Sequence, residues 1–170
     1  MPPIVIVLMG PSGAGKSTVG RSLADSLGWR FTDADAFHSP ENRARLARGE
    51  ALSDADRAPW LDALRQEIAT AIAHDQPMVL ACSALRRAYR EALLPNEGAR
   101  QRVCIVYLRT SVAELARRLR TRVGHFAPVE LLQTQLETLE EPVPDEGVLT
   151  LGGERPVQEL VQQIRRSCGV

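Results

Sequence analysis

Lysine is nearly absent from this chain: of 21 basic residues only Lys16 is a lysine, and the rest are arginines. Charge of one sign is absent too, since 21 acidic residues balance the 21 basic ones. That balance excludes the basic footprint of a nucleic-acid binder, so any polyanion handled here is small and held at one site. Cysteine is scarce, and Cys82, Cys104 and Cys168 fall at spacings that match neither a zinc nor a redox pattern. Cys82 and Cys104 lie in apolar runs, which predicts structural thiols in a reducing compartment. No hydrophobic run reaches the length of a membrane span. The apolar run at 4–8 stops at Gly10, with no cationic leader before it and no cleavage site after it, so the expected setting is cytoplasmic with no membrane partner. Repeats, low-complexity stretches and linkers are also missing, and 170 residues suit one domain with a substantial core.

What is present alternates. Residues 4–9 read as a buried strand and 16–28 as a helix with Val19, Leu23 and Leu27 on one face. A short second strand is expected at 29–32, helices at 38–49 and 54–74, and a third strand at 78–82. A helix at 84–94, a strand at 103–108 and helices at 111–122 and 128–139 follow. A last strand at 147–151 and a helix at 156–167 complete the chain. Five short apolar strands separated by helices predict an α/β fold, a parallel five-stranded sheet covered on both faces. Right-handed crossovers then put every strand's carboxyl end, where ligands bind, on one edge.

Gly10-Pro11-Ser12-Gly13-Ala14-Gly15-Lys16-Ser17 fits G-x-x-x-x-G-K-[ST] without a mismatch, between a buried strand and an amphipathic helix. In such a P-loop the backbone curls so that successive N–H groups form a nest for phosphate oxygens, and the helix dipole adds to it. Lys16 is expected on the β- and γ-phosphates and Ser17 on Mg²⁺, with residues 10–18, Thr18 included, holding ATP. A guanine-nucleotide switch needs a second lysine in its base-recognition signature, and none exists. A motor ATPase closes a hydrophobic strand with an acidic pair, whereas the third strand here ends Cys82-Ser83. A small-molecule kinase is favoured.

Asp33-Ala34-Asp35 leaves the second strand at the P-loop edge. Two carboxylates at i and i+2 there divide between a metal's water shell and a substrate hydroxyl, or else one of them caps the next helix. Arg117, Arg118, Arg120 and Arg122 crowd one helix end, as a lid over ATP requires, or as a solvated face near Glu114 also allows.

Several blocks together resemble the gluconate kinase family. Asp33-Ala34-Asp35-Ala36-Phe37-His38-Ser39-Pro40-Glu41-Asn42 is similar to D-x-D-x-x-H-x-x-x-N. The stretch from Gly49 to Leu61 is similar to G-x-P-L-x-D-x-D-R-x-P-W-L, and Cys82-Ser83-Ala84-Leu85-Arg86-Arg87-Ala88-Tyr89-Arg90 to C-S-A-L-K-x-x-Y-R. Arg122-Val123-Gly124-His125-Phe126 resembles R-x-G-H-F, and the stretch from Gln135 to Pro142 resembles Q-F-x-T-L-E-x-P. The blocks run in family order from residue 10 to 142. Arg86 replaces the family's lysine, Ser39 intervenes before Pro40, and beyond 142 the likeness thins.

The resemblance implies transfer of the ATP γ-phosphate to the 6-hydroxyl of D-gluconate, on a shikimate-kinase-like fold with a helical lid at about 117–130 and a homodimeric assembly. It implies Asp33 in the magnesium shell and Asp35 beside the acceptor hydroxyl. Gluconate carries one carboxylate, for which a fixed guanidinium is the physical counterpart. Arg57 is the first choice for it, unless it pairs with Asp54 or Asp56, and His38, Arg90, His125 and Gln135 are expected as further contacts. Arg122 is expected on the transferring phosphoryl group, and Arg118 on adenine opposite Pro156, by analogy with nucleotide kinases of similar shape. A kinase for another small hydroxylated acceptor and a nucleotide-binding regulator are the alternatives.

Overall fold

The computed structural model describes residues 1–122 and 129–170. Five strands, β1 (Val5–Met9), β2 (Arg30–Asp33), β3 (Met78–Ala81), β4 (Val103–Arg109) and β5 (Leu149–Gly152), form one sheet in the order β2-β3-β1-β4-β5. Every neighbouring pair is parallel. The helices are α1 (Lys16–Leu27), α2 (Pro40–Ala47), α3 (Asp54–Ala73), α4 (Arg87–Ala92), α5 (Val112–Thr121), α6 (Val129–Thr138) and α7 (Val157–Cys168).

Alternation along β1 explains the layering. Val5, Val7 and Met9 point to one face and pack with Trp60, Leu64 and Ile68 of α3 and Tyr89 of α4. Ile6 and Leu8 point to the other and meet Val19 and Leu23 of α1, Leu115 of α5, Leu132 of α6 and Leu160 and Ile164 of α7. All five β1 side chains are fully buried, which is why the strand reads as an unbroken apolar run. Among the described residues no helix is long and apolar enough to cross a membrane.

Two expectations need correction. The helix expected at 84–94 is only Arg87–Ala92, because the chain first makes a tight turn with Ala84 in the left-handed region at φ 45° and Arg86 extended. Cys104 and Cys168, expected as separate thiols, are paired as a disulfide joining β4 to the end of α7, with Cα atoms 6.5 Å apart. They stand 64 residues apart in sequence, and only the laying of α7 across β4 brings them together. Cys82 stays free and buried, its thiol pushed up to about 12 chiefly by burial.

Candidate active site

The carboxyl ends of β1, β2 and β3 open into a cleft of about 690 Å³ lined by residues 12–19, Asp33, Asp35, His38, Arg57 and Arg122, among others. Its floor is the loop between β1 and α1. Gly10 and Gly15 take φ angles of +145° and +93°, and a Cβ on Gly10 would stand 2.9 Å from that of Ala14. Only glycine fits such a curl. The helix that follows begins at Lys16 with no side-chain cap, so its first N–H groups remain for a ligand.

Lys16 donates from Nζ to the carbonyls of Gly10 at 2.7 Å and Pro11 at 2.9 Å. Burial pushes its pKa down, while Asp35 and Asp33, among its neighbours, hold it up. An ammonium at the head of a curled phosphate loop, desolvated by its surroundings, is chemically suited to pair with a phosphate.

Asp33 ends β2 and does two jobs. Its Oδ1 accepts from the backbone N–H of Asp35 at 3.0 Å, capping a short 3₁₀ turn at Ala34–Phe37, and its Oδ2 accepts from Ser17 Oγ at 3.4 Å. Ser17 Oγ and Asp33 Oδ2 are hard oxygen donors at the mouth of the phosphate loop. Among the described residues no group of three or more histidine, cysteine or acidic side chains surrounds a metal position. This donor set fits Mg²⁺, which commonly takes one or two protein oxygens and completes its shell with water and phosphate. Asp35 faces the open cleft. The protein packed around its carboxyl raises its pKa first and Asp33 second, against Lys16 and Arg122.

The opposite wall is built by α2 and α3. Ser53 and Asp56 close a capping box at the start of α3, with Ser53 Oγ accepting from the Asp56 N–H and Asp56 Oδ2 from the Ser53 N–H. Asp56 also pairs with Arg45 at 3.1 Å, and its carbonyl accepts from Asn42 Nδ2 at 3.2 Å, which locks α2 to α3. Asp54 is taken by Arg86 at 3.3 Å and by the Tyr89 hydroxyl. Both carboxylates that competed for Arg57 are thereby occupied. Arg57 instead donates to Tyr89 Oη at 3.1 Å and keeps no carboxylate partner among the described residues. His38 stacks on Trp60 at 4.4 Å, and Trp60 donates to the Ala34 carbonyl at 2.7 Å. His38 is buried and its Nδ1 has no hydrogen-bond partner among the described residues.

The remaining expected residues divide. Arg118 donates to the carbonyls of Gly13 at 3.1 Å and Gly153 at 3.0 Å and to Glu114, so it bridges the phosphate loop and the β5–α7 loop. Arg117 pairs with Glu114, the solvated arrangement. Arg122, just past α5, lines the cleft within electrostatic reach of Lys16 and Asp35. Gln135 lines the cleft too, but its carboxamide embraces Ser12, accepting from the Ser12 N–H at 2.7 Å and donating to Oγ at 3.1 Å. His125, with Val123, Gly124 and Phe126 of its block, lies outside the described residues, as does part of the expected lid.

Arg90 is a correction. It does not line the cleft: it is 2% exposed, gripped by Glu146 at 2.6 and 3.0 Å, and donates to the carbonyls of Ala84 and Leu85. It is the internal brace of the turn that shortened α4. Arg43 was missed and does line the cleft. A helical pattern places residues 43, 46 and 47 on one face, but nothing in the sequence said that this face looks inward.

The "AAA domain" family model matches residues 5–142 of the chain. A gluconokinase from Gluconobacter oxydans (strain 621H) is 43% identical over 164 residues, covering 96% of this chain and 90% of its own. The solved structure of a gluconokinase from Sinorhizobium meliloti 1021 superposes with a TM-score of 0.85 at 41% identity, covering 98% of this chain and 92% of that one. A shikimate kinase from Acinetobacter baumannii shares the fold at a TM-score of 0.63 and 25% identity, covering 97% of this chain and 92% of that one. Phosphate loop, carboxylate pair and arginine-lined wall stand in one cleft on a sheet that matches these kinases along nearly its whole length, and the chain belongs to the gluconokinase family of P-loop kinases.

Proposed function

We propose that this protein transfers the γ-phosphate of ATP to the 6-hydroxyl of D-gluconate, giving 6-phosphogluconate and ADP. The observation that carries this reading is the polarity of the cleft. Its phosphate-loop side is lined by an ammonium and a carboxylate, Lys16 and Asp35, the groups that phosphates and a hydroxyl call for. Its acceptor wall has a guanidinium, Arg57, whose candidate carboxylates are engaged elsewhere. A linear sugar acid, hydroxyl at one end and carboxylate at the other, fits both demands. The relatives named gluconokinase support the same substrate.

The chemistry asked of the side chains is modest, because phosphoryl transfer is mostly positioning and charge stabilisation. Asp35 accepts a hydrogen bond from the 6-hydroxyl and takes its proton as the oxygen bonds to the γ-phosphorus and the bond to the ADP oxygen breaks. A carboxyl with a raised pKa suits that task better than an ordinary surface aspartate. Lys16 and Arg122 neutralise the charge that spreads over the transferring group. Ser17 and Asp33 would hold Mg²⁺, which would offset the negative charge of the phosphates. Arg57 forks onto the carboxylate, and His38, kept neutral, offers Nδ1 to a hydroxyl along the carbon chain.

The test is ADP release with Mg·ATP against gluconate, glucose, shikimate, glycerate and a nucleoside, with Lys16→Ala in parallel. Selective turnover of gluconate, abolished in the variant, is expected. Preference for an uncharged sugar would overturn the substrate, and a tenth or more of wild-type rate in Lys16→Ala would overturn the phosphate-seat assignment.

A further inference from the structure

We infer that Arg43 is a second specificity-determining residue for the acceptor, forming with Arg57 a two-guanidinium seat for the substrate carboxylate beside His38. The inference rests on the gluconate reading and deepens it.

The first observation is the orientation of α2. Arg43, Leu46 and Ala47, at spacings of three and four, all line the cleft, so that face of the helix looks inward. Arg43 therefore projects over the acceptor wall even though the residue is exposed. The second is the charge pairing around this corner. Arg45 is taken by Glu50 and Asp56, Arg48 by Glu50, and Arg86 by Asp54. Arg43 and Arg57 are the two guanidiniums of this corner that line the cleft, and neither has an ion pair among the described residues. Two like charges lining one cleft repel, and an anion held between them relieves that repulsion.

The third is His38, buried in the same wall with Nδ1 unpaired and close enough to feel both charges. A buried polar atom without a partner marks a place where a ligand's polar group belongs. A carboxylate next to a hydroxylated carbon fills all three demands at once: its two oxygens take the two guanidiniums, and the adjacent hydroxyl meets the imidazole. Arg57, braced by Tyr89, supplies the fixed fork, while Arg43 on its helix supplies charge from the solvent side.

The test is the kinetics of Arg43→Gln and Arg43→Lys on the intact protein. The Arg43 side chain makes no hydrogen bond or ion pair among the described residues and is exposed, so both variants should melt with wild type. In Arg43→Gln the KM for gluconate should rise about tenfold, the worth of one ordinary charge-assisted hydrogen bond, with kcat and the KM for ATP little changed. Arg43→Lys should recover most of that loss, because charge rather than a fork is what this position gives. Raising ionic strength should weaken gluconate binding more in wild type than in Arg43→Gln. A gluconate KM unchanged in Arg43→Gln, or equal loss in Gln and Lys variants with the same salt dependence, would overturn the assignment while leaving the function intact. A wild type inert toward gluconate would instead overturn the function, and the seat with it.

Discussion

Arg90 and Glu146 form a buried ion pair whose disruption separates a structural role from a substrate role. The two side chains are 2% and 6% exposed, and Glu146 meets the guanidinium through both oxygens. Glu146→Ala leaves a buried guanidinium whose remaining partners among the described residues are the carbonyls of Ala84 and Leu85. Removing one partner of such a pair costs about 3–5 kcal/mol. For a chain of this length that lowers Tm by roughly 10 °C. Replacing both, Arg90→Met with Glu146→Leu, removes the unpaired charge but strips the two carbonyls of their donor, so it should recover only part, remaining about 2 kcal/mol below wild type. Thermal unfolding followed by circular dichroism measures the stability, and gluconate KM at a temperature where each variant is folded measures the function. The expected pattern is a large loss of stability with KM unchanged. A Glu146→Ala variant within about 1 kcal/mol of wild type would refute the buried-pair reasoning, and a folded double variant with gluconate KM raised tenfold would return Arg90 to the substrate.

Asp35→Asn should lower kcat by about two to four orders of magnitude, the range of general-base contributions, with KM for ATP nearly unchanged. A main effect on KM for ATP would exchange the roles of Asp35 and Asp33. His38 is held neutral, its pKa lowered from the usual 6.5 to about 4 by burial first and by Arg57 and Arg43 after it. A depressed value means that the folded state binds fewer protons than the unfolded one between those limits. Stability should therefore fall as pH drops from about 6.5 toward 4, by at most about 3 kcal/mol from this group. His38→Gln should flatten that part of the profile in urea titrations, and an unchanged profile would remove His38 as its cause.

The centre of the sheet was legible because β1 and β3 are buried on both faces: residues 5–9 and 78–81 carry no polar residue to blur their limits. The phosphate loop was legible because its glycines and lysine answer to local backbone geometry. Arg57 was legible as a candidate, but its release from Asp54 and Asp56 was not, since that depends on Arg86, Tyr89 and Arg45 arriving from other elements. Arg90 misled for the same reason in reverse: its partner Glu146 lies 56 residues away, in a stretch where the family pattern had thinned. Arg43 belongs to no motif quoted from the sequence, and only the rotation of α2 about its axis gives it a direction. The Cys104–Cys168 pairing likewise depends on how α7 lies on β4.

The most direct test of the central claim is to let the protein consume gluconate and Mg·ATP and to locate the phosphate in the product by phosphorus–proton correlation NMR. The account predicts a single phosphomonoester coupled to the two protons of C6, formed in step with ADP. A phosphate on any other carbon, or ADP released without a phosphorylated acid, would contradict the placement of the 6-hydroxyl at Asp35 and the carboxylate at the arginines.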